Sequence, residues 1–239
     1  MVIIGLLFCH CLKTTMYHPK KSNQFGKIIG EYDFCTSKVV CVGRNYAAHA
    51  KELNNAIPET PLLFIKSSNT LVDLDNQIFI PKNTGECHHE LEIAILIGRQ
   101  LTKANIQQSK SGIEAVGLAL DLTLRELQSE LKSKGQPWEK AKSFDGACPM
   151  TGFMPIDNFP SLSDISFSLQ KNKILAQKGN SKNMLFDIVS LISQISDSFT
   201  LYRGDIILTG TPEGVASLNP GDRITLELEQ QQIATAVIS

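Results

Sequence analysis

The stretch His88-His89-Glu90-Leu91-Glu92, running directly into Ile93-Ala94-Ile95-Leu96-Ile97-Gly98, sets two carboxylates one residue apart at the mouth of an apolar strand. Successive side chains of a strand point to opposite faces, so Glu90 and Glu92 share one face while Leu91 and Ile93 share the other. Side chains two apart sit roughly 6.5 to 7 Å from each other, close enough to converge on one ion held at about 2.1 to 2.5 Å. The same acid-Leu-acid spacing recurs at Asp73-Leu74-Asp75 and Glu227-Leu228-Glu229. Context separates the three. Asp73 and Asp75 lead into Asn76, a turn signal, and Glu227 and Glu229 lie in a Gln-rich hairpin, whereas Glu90 and Glu92 precede a run too apolar to have a wet face. Acids at the lip of a buried strand need a partner, because an unpaired buried carboxylate is costly.

Working outward, Lys38 to Gly43, Pro61 to Lys66, Gln77 to Ile80 and Ala115 to Leu120 read as strands. Gly204 to Pro212 reads as a strand breaking into a Gly and Pro loop, and Arg223 to Leu228 with Ile233 to Ile238 reads as a closing hairpin. Helices are sparse. Asn45 can cap a short one through Leu53, ended by Asn54-Asn55, and another fits Ile106 to Ser111. Thr123 with Glu126 has capping-box spacing, Leu124, Leu127 and Leu131 form an apolar stripe, and Gly135 with Pro137 ends it. A last helix is expected from Met184 to Phe199. Strands outnumber helices, so the expected fold class is a β-rich α+β, not a doubly wound sheet.

The 239 residues are 42% hydrophobic and 20% charged with a formal net charge of -1, an ordinary globular composition with no field to attract nucleic acid or anionic lipid. The six cysteines contain no Cys-x-x-Cys pair, which points to reduced thiols and a cytoplasmic setting. Val2 to Cys9 is apolar but too short to span a bilayer, and no membrane association is expected. Met16 could equally serve as the start, so residues 1–15 are set aside from fold reasoning within an N-terminal extension, 1–37. Residues 38–239 are expected to form a single catalytic domain.

Asp121 stands where a strand gives way to a helix, with Arg125 and Gln128 four and seven residues on, projecting to one side. Three carboxylates without a soft ligand suit Mg²⁺, Mn²⁺ or Ca²⁺. Zinc is disfavoured, since no histidine lies four residues after His89. His88 shares the parity of Glu90 and Glu92, which allows a ligand or supporting role as well as a simple one at the strand start. His49 and Glu52, three apart on a short helix, can pair so that the carboxylate orients the imidazole. Lys142 and Thr211, read alone, face solvent. No phosphate loop, Gly-x-Ser-x-Gly elbow or assignable Cys-His pair is present.

Val40-Cys41-Val42-Gly43-Arg44-Asn45-Tyr46, His88 to Glu92, Leu120-Asp121-Leu122-Thr123, Trp138 to Phe144, and Leu208 to Gly214 with Pro220-Gly221-Asp222 together resemble the fumarylacetoacetate hydrolase family. The branch they resemble comprises acylpyruvases and oxaloacetate decarboxylases or tautomerases. The resemblance implies a mixed-sheet β-roll, a homodimer, and Mg²⁺ or Mn²⁺ held by Glu90, Glu92 and Asp121. It implies a water-activating pair, His49 and Glu52, on a lid segment. Lys142 is implied as a catalytic or supporting residue, and Arg44, Arg125, Gln128 and Thr211 as substrate contacts. The expected activity is carbon-carbon hydrolysis of acylpyruvates through a pyruvate enolate, with oxaloacetate decarboxylation or tautomerisation as the alternative. An isomerase or hydratase of aromatic degradation, or a non-catalytic 2-oxo acid binder, is the more distant reading. Two departures from the branch are Lys66-Ser67, where Lys-Pro is common, and Gly214-Val215-Ala216, where Gly-Val-Gly is common.

Overall fold

The computed structural model describes residues 16–52, 56–74 and 77–239. The expected stop at Asn54-Asn55, the turn at Asp75-Asn76 and residues 1–15 lie outside them. The centre is a mixed sheet ordered Leu62–Ser67, Lys38–Gly43, Ile206–Leu208, Leu91–Ile97, Ile113–Leu120, Cys148–Met150 and Leu71–Asp73, with Met154–Pro155 also paired to Ile113–Leu120. Leu91–Ile97 is buried at every position, and its alternate residues serve two cores. Ile93, Ile95 and Ile97 pack with Val40, Val42 and Ile207, while Ala94 and Leu96 pack with Val39, Cys41 and Leu208 on the opposite face. Burial on both faces is what removes the polar alternation from this segment.

A five-stranded sheet of Ile174–Asn180, Ser166–Lys171, Arg223–Leu228, Gln231–Ile238 and Gln77–Ile78 closes the larger core. Phe167, Leu169, Ile224 and Leu226 project into it. The opposite face is covered by the hairpin Lys20–Ser22 and Ile28–Glu31, whose neighbours Tyr17, Tyr32 and Phe34 join the second core. The architecture is thus the expected β-rich α+β fold of mixed sheets, with helices α1 (Ala47–Glu52), α2 (Ile106–Ser111), α3 (Arg125–Ser133), α4 (Glu139–Lys142) and α5 (Ile188–Ser198).

Three local expectations are corrected. The capping box at Thr123 does not form. Thr123-Leu124 is a short strand paired with Cys87-His88, and α3 starts at Arg125 with no side-chain cap. Asn45 does not cap α1. Its amide accepts from Phe186 N (2.8 Å) and donates to Phe186 O (3.0 Å) and Thr209 O (2.8 Å), tying three chain segments together. That clamp also shortens the last helix, because Phe186 spends its backbone groups on Asn45. Helix α5 therefore begins after Asp187, whose carboxylate accepts from Val189 N and Ser190 N, both at 3.0 Å. Among the described residues no helix is long and apolar enough to cross a membrane.

Candidate active site

Antiparallel pairing of Leu91–Ile97 with Ile113–Leu120 sets Leu91 opposite Leu120 and Glu92 opposite Ala119, and Asp121 N donates to Glu90 O at 2.8 Å. The beginning of one strand and the end of its neighbour thereby meet at one sheet end. There Glu90, Glu92 and Asp121, all buried, offer carboxylate oxygens within 4.8 Å of one another. The sheet register, which no local pattern reveals, is what joins Asp121 to the acid pair.

Cations surround two of these acids. Lys142 is buried, not solvent-facing as its local sequence suggested. Its ammonium donates to Asp121 Oδ2 at 2.6 Å and Glu90 Oε2 at 2.9 Å. Arg125 Nη2 pairs with Glu90 Oε1 while Nη1 donates to Gln128 Oε1 at 2.8 Å, and Thr123 Oγ1 donates to Glu90 Oε1 at 3.1 Å. Desolvation pulls the Glu90 carboxyl upward, but the charges of Lys142 and Arg125 outweigh it and hold the group well below the usual carboxylate range. Burial likewise pulls Lys142 down, and Asp121 and Glu90 more than reverse this, so it stays an ammonium.

Glu92 differs. Gly210 N donates to its Oε2 at 2.6 Å, but among the described residues no cation pairs with it directly. Burial first, then the nearby charges of Asp121 and Glu90, holds its carboxyl well above the usual range. The donor set therefore fits a divalent metal: three hard oxygens, no nitrogen or sulfur donor, and one acid short of positive charge. Asp121 Oδ1 fits as well. It lies 2.8 Å from Lys66 Nζ yet makes no aligned hydrogen bond, leaving a lone pair to coordinate.

Lys66 is the residue that sequence reasoning missed. It is fully buried, and besides Asp121 its ammonium meets the carbonyls of Leu122 (3.4 Å), Ala147 (3.0 Å) and Lys142. A lysine closing the apolar run Leu62-Leu63-Phe64-Ile65 was the available signal, since a charge at a buried strand end needs a partner.

Arg44, His49, Glu90, Glu92, Asp121, Arg125, Gln128 and Lys142 line one pocket, together with Leu62, Phe64, Lys132 and Trp138. His49 Nδ1 lies 3.1 Å from Glu52 Oε2, and Glu52 Oε1 accepts from Gly214 N at 3.0 Å, which ties α1 to the loop after Thr211. Arg44 sits at φ 58°, a left-handed conformation uncommon for a side chain of this size and typical of functional loops.

Thr211 is not among the residues lining this pocket. It is buried, not solvent-facing, and its hydroxyl donates to Leu91 O (2.8 Å) and accepts from Gln177 Nε2 (2.8 Å). Gln177 also accepts from Leu91 N at 3.0 Å and lies 2.9 Å from His89 Nδ1, so it splices the loop to the metal-end strand. His88 is not among the grouped acids. The chain changes sheets at Glu90, with Cys87–His89 pairing Thr123–Leu124 and Ala216–Ser217, so the parity linking His88 to Glu90 is broken and His88 faces Glu86 at 2.9 Å. A Cys-His contact does exist, contrary to the sequence reading: His18 Nε2 lies 3.1 Å from Cys35 Sγ, outside this pocket. Burial pushes Cys148 up to about 12 and Cys87 to about 11, so neither offers a thiolate.

The family model described as fumarylacetoacetate (FAA) hydrolase C-terminal matches residues 38–238. An oxaloacetate tautomerase of Escherichia coli, YcgM, is 45% identical over 86% of this chain and 94% of its own. A mitochondrial oxaloacetate decarboxylase of Dictyostelium discoideum is 42% identical over 78% of this chain and 86% of its own. The crystal structure of a fumarylpyruvate hydrolase from Pseudomonas aeruginosa in complex with Mn²⁺ and pyruvate superposes with a TM-score of 0.83 at 28% identity, covering 92% of this chain and 96% of that one.

Proposed function

Because the chain belongs to the fumarylacetoacetate hydrolase family, we propose that it is a divalent-metal-dependent enzyme of 2-oxo acids acting on oxaloacetate, as a keto-enol tautomerase with decarboxylation at the same site. The observation that carries this reading is the buried triad Glu90, Glu92 and Asp121 facing His49 across one pocket. The relatives thereby shift the weight from acylpyruvate cleavage, the leading expectation from sequence, to its oxaloacetate alternative.

An ion held by the triad, Mg²⁺ or Mn²⁺, would supply Lewis-acid stabilisation of charge developing on the C2 oxygen of the substrate. The remaining work falls to the protein. With Nδ1 engaged by Glu52, the His49 ring nitrogen available to substrate is Nε2, which takes the C3 proton while the C2 oxygen gains one from water, and in the other direction returns a proton to C3 while the C2 oxygen gives its own to water. Lys142, held protonated between two carboxylates, acts as a fixed positive charge and not as a base. In decarboxylation the C3–C4 bond breaks, its electron pair moves to C2–C3, carbon dioxide leaves, and C3 then gains a proton. Arg125, Gln128 and Thr211 orient the substrate in this reading, Thr211 through the loop that its hydroxyl anchors.

Acylpyruvate hydrolysis is the second reading, favoured by the His49–Glu52 pair, which can activate a water, and by the fumarylpyruvate hydrolase neighbour. A homodimer of the 38–239 catalytic unit and a reducing, cytoplasmic setting accompany either reading; the four described cysteines are free. The test is one panel: purified protein with Mg²⁺, with Mn²⁺ and with EDTA, assayed on enol-oxaloacetate, oxaloacetate and acetylpyruvate. Metal-dependent ketonisation faster than acetylpyruvate cleavage is expected. Activity unchanged by EDTA sinks the metal reading, and acetylpyruvate as the better substrate restores the hydrolase.

A further inference from the structure

The pocket carries more cations than its acids use. Arg125 and Lys142 pair with Glu90 and Asp121, and Lys66 sits behind Asp121. Lys132 and Arg44 also line the pocket, and among the described residues neither forms an ion pair. Lys132 belongs to the same helical stripe as the site residues: Arg125, Gln128 and Lys132 fall at i, i+3 and i+7 and are buried or half-buried, while Glu126, Ser129, Glu130 and Ser133 are exposed. Helical side chains lean toward the N-terminus, so Lys132 leans back along α3 toward Gln128 and the metal end.

An aromatic pair holds it there. Phe64 and Trp138 pack at a tilt of 57° with ring centroids 5.9 Å apart; the Lys142 ammonium lies 5.2 Å from the Phe64 centroid, and that of Lys132 lies 4.9 Å from the Trp138 centroid. Two ammonium groups are thus mounted on one aromatic wall, the inner one bonded to carboxylates and the outer one without an anion. Burial, then the like charges of Lys142, Arg125 and Arg44, pushes Lys132 down to about 8, the mark of a cation in surroundings short of negative charge.

We propose that Lys132, mounted on Trp138, receives the second carboxylate of the substrate and makes dicarboxylic 2-oxo acids the preferred class over monocarboxylic ones. This deepens the oxaloacetate reading and rests on it. The first carboxylate and the C2 oxygen go to the triad end, and the distal carboxylate reaches the outer ammonium, which of the two pocket cations without an ion pair, Lys132 and Arg44, is the one seated on an aromatic ring. Lys132 is a specificity residue, touching a part of the substrate that does not react, so its loss falls on binding.

Trp138 is the single tryptophan of the chain, so its fluorescence reports occupancy of this pocket without turnover. The probes are malate and lactate, stable 2-hydroxy acids that differ by the distal carboxylate, titrated in Mg²⁺ against wild type, Lys132→Met and Lys132→Arg. Methionine keeps the apolar stem on Trp138 and removes the charge. Wild type is expected to bind malate at least tenfold more tightly than lactate, as one charge-assisted hydrogen bond provides about tenfold to a hundredfold. Lys132→Met should erase that ratio with lactate affinity unchanged, and Lys132→Arg should retain it. In parallel, KM for oxaloacetate should rise about tenfold in Lys132→Met, with kcat within about threefold. A malate preference that survives Lys132→Met overturns the proposal, as does a wild type with no preference. Failure of the oxaloacetate reading has a different signature: no turnover of oxaloacetate by wild type, whatever the malate-to-lactate ratio.

Discussion

Replacing Lys66 by Met removes a cation from the least accessible point of the site. Lys66 and Asp121 have side chains 0% and 1% exposed, with Nζ and Oδ1 2.8 Å apart. The length of the side chain is nearly kept, so the perturbation is the loss of charge and of the hydrogen bonds to the carbonyls of Leu122, Lys142 and Ala147. Breaking a buried pair from one side costs about 3–5 kcal/mol when the remaining charge is left unpaired, and the lower end applies to Asp121, which keeps Lys142 at 2.6 Å. For a chain of 150–250 residues each kcal/mol moves the midpoint roughly 2–4 °C, so Tm should fall by roughly 6–12 °C.

The assay is thermal and urea unfolding of wild type and Lys66→Met, each in EDTA and in excess Mg²⁺. An ion on Glu90, Glu92 and Asp121 supplies positive charge to the same carboxylate, so the deficit should shrink in Mg²⁺. Saturation at 100 times Kd contributes about 2.7 kcal/mol to either form, and more where the ion also replaces the charge that Asp121 has lost, Lys142 being the ammonium it keeps. A loss below about 1 kcal/mol in EDTA refutes the view that this contact carries the charge balance of Asp121. An equal loss with and without Mg²⁺ refutes the shared role of cation and ion.

Glu90→Ala should abolish metal-dependent turnover, while His49→Ala should cut tautomerisation and acylpyruvate cleavage more than decarboxylation, since only the first two need its proton transfer at the outset; rates on the three substrates decide this, and an equal loss on all three contradicts it. Glu92→Gln should abolish Mg²⁺-induced stabilisation yet raise Tm in EDTA. The sign follows from a folded pKa raised above the ordinary 4.5: ionising Glu92 costs increasing stability as pH climbs from 4.5, and Gln removes that cost, so thermal unfolding at pH 8 should show a larger gain than at pH 5. Malate affinity should fall as pH rises through about 8, where the Lys132 ammonium deprotonates, and the Trp138 titration of Lys132→Met should be flat over that range.

The strands were legible where burial is two-sided. An apolar run such as Leu91–Ile97 has no alternative environment, and α2 falls at the expected Ile106–Ser111, where Asn105, a cap the sequence reading did not use, accepts from Gln108 N. Polar residues at element ends were the ones misread. Asn45 and Thr123 carry capping chemistry, but each spends it on a tertiary partner: Asn45 on Phe186 and Thr209, Thr123 on Glu90. Propensity describes what a side chain does in the absence of a better acceptor, and here the fold provides one. Lys142 and Thr211 were misread for a related reason. Helical spacing tells which residues share a face, not what faces them, and the partners of Lys142 are 52 and 21 residues away along the chain.

The distribution of charge among the three acids separates scaffold from site. Lys66, Lys142 and Arg125 all contact Asp121 or Glu90, and none contacts Glu92. Two carboxylates are therefore fixed by permanent cations, which hold the strand ends together independently of any ion. Glu92 has one backbone donor at 2.6 Å, and burial with the charges of Asp121 and Glu90 holds its carboxyl well above the usual range. Glu90, Glu92 and Asp121 would hold an ion here with two of the three acids already fixed in place, so little reorganisation would oppose its entry or departure. The same asymmetry explains why the acid-Leu-acid spacing occurs three times yet makes a site once. Asp73 is only half-buried and Asp75 lies outside the described residues, while Glu227 and Glu229 hydrogen-bond to Ser168, Gln170 and Ser166 N; among the described residues none of these three joins a group of buried acids.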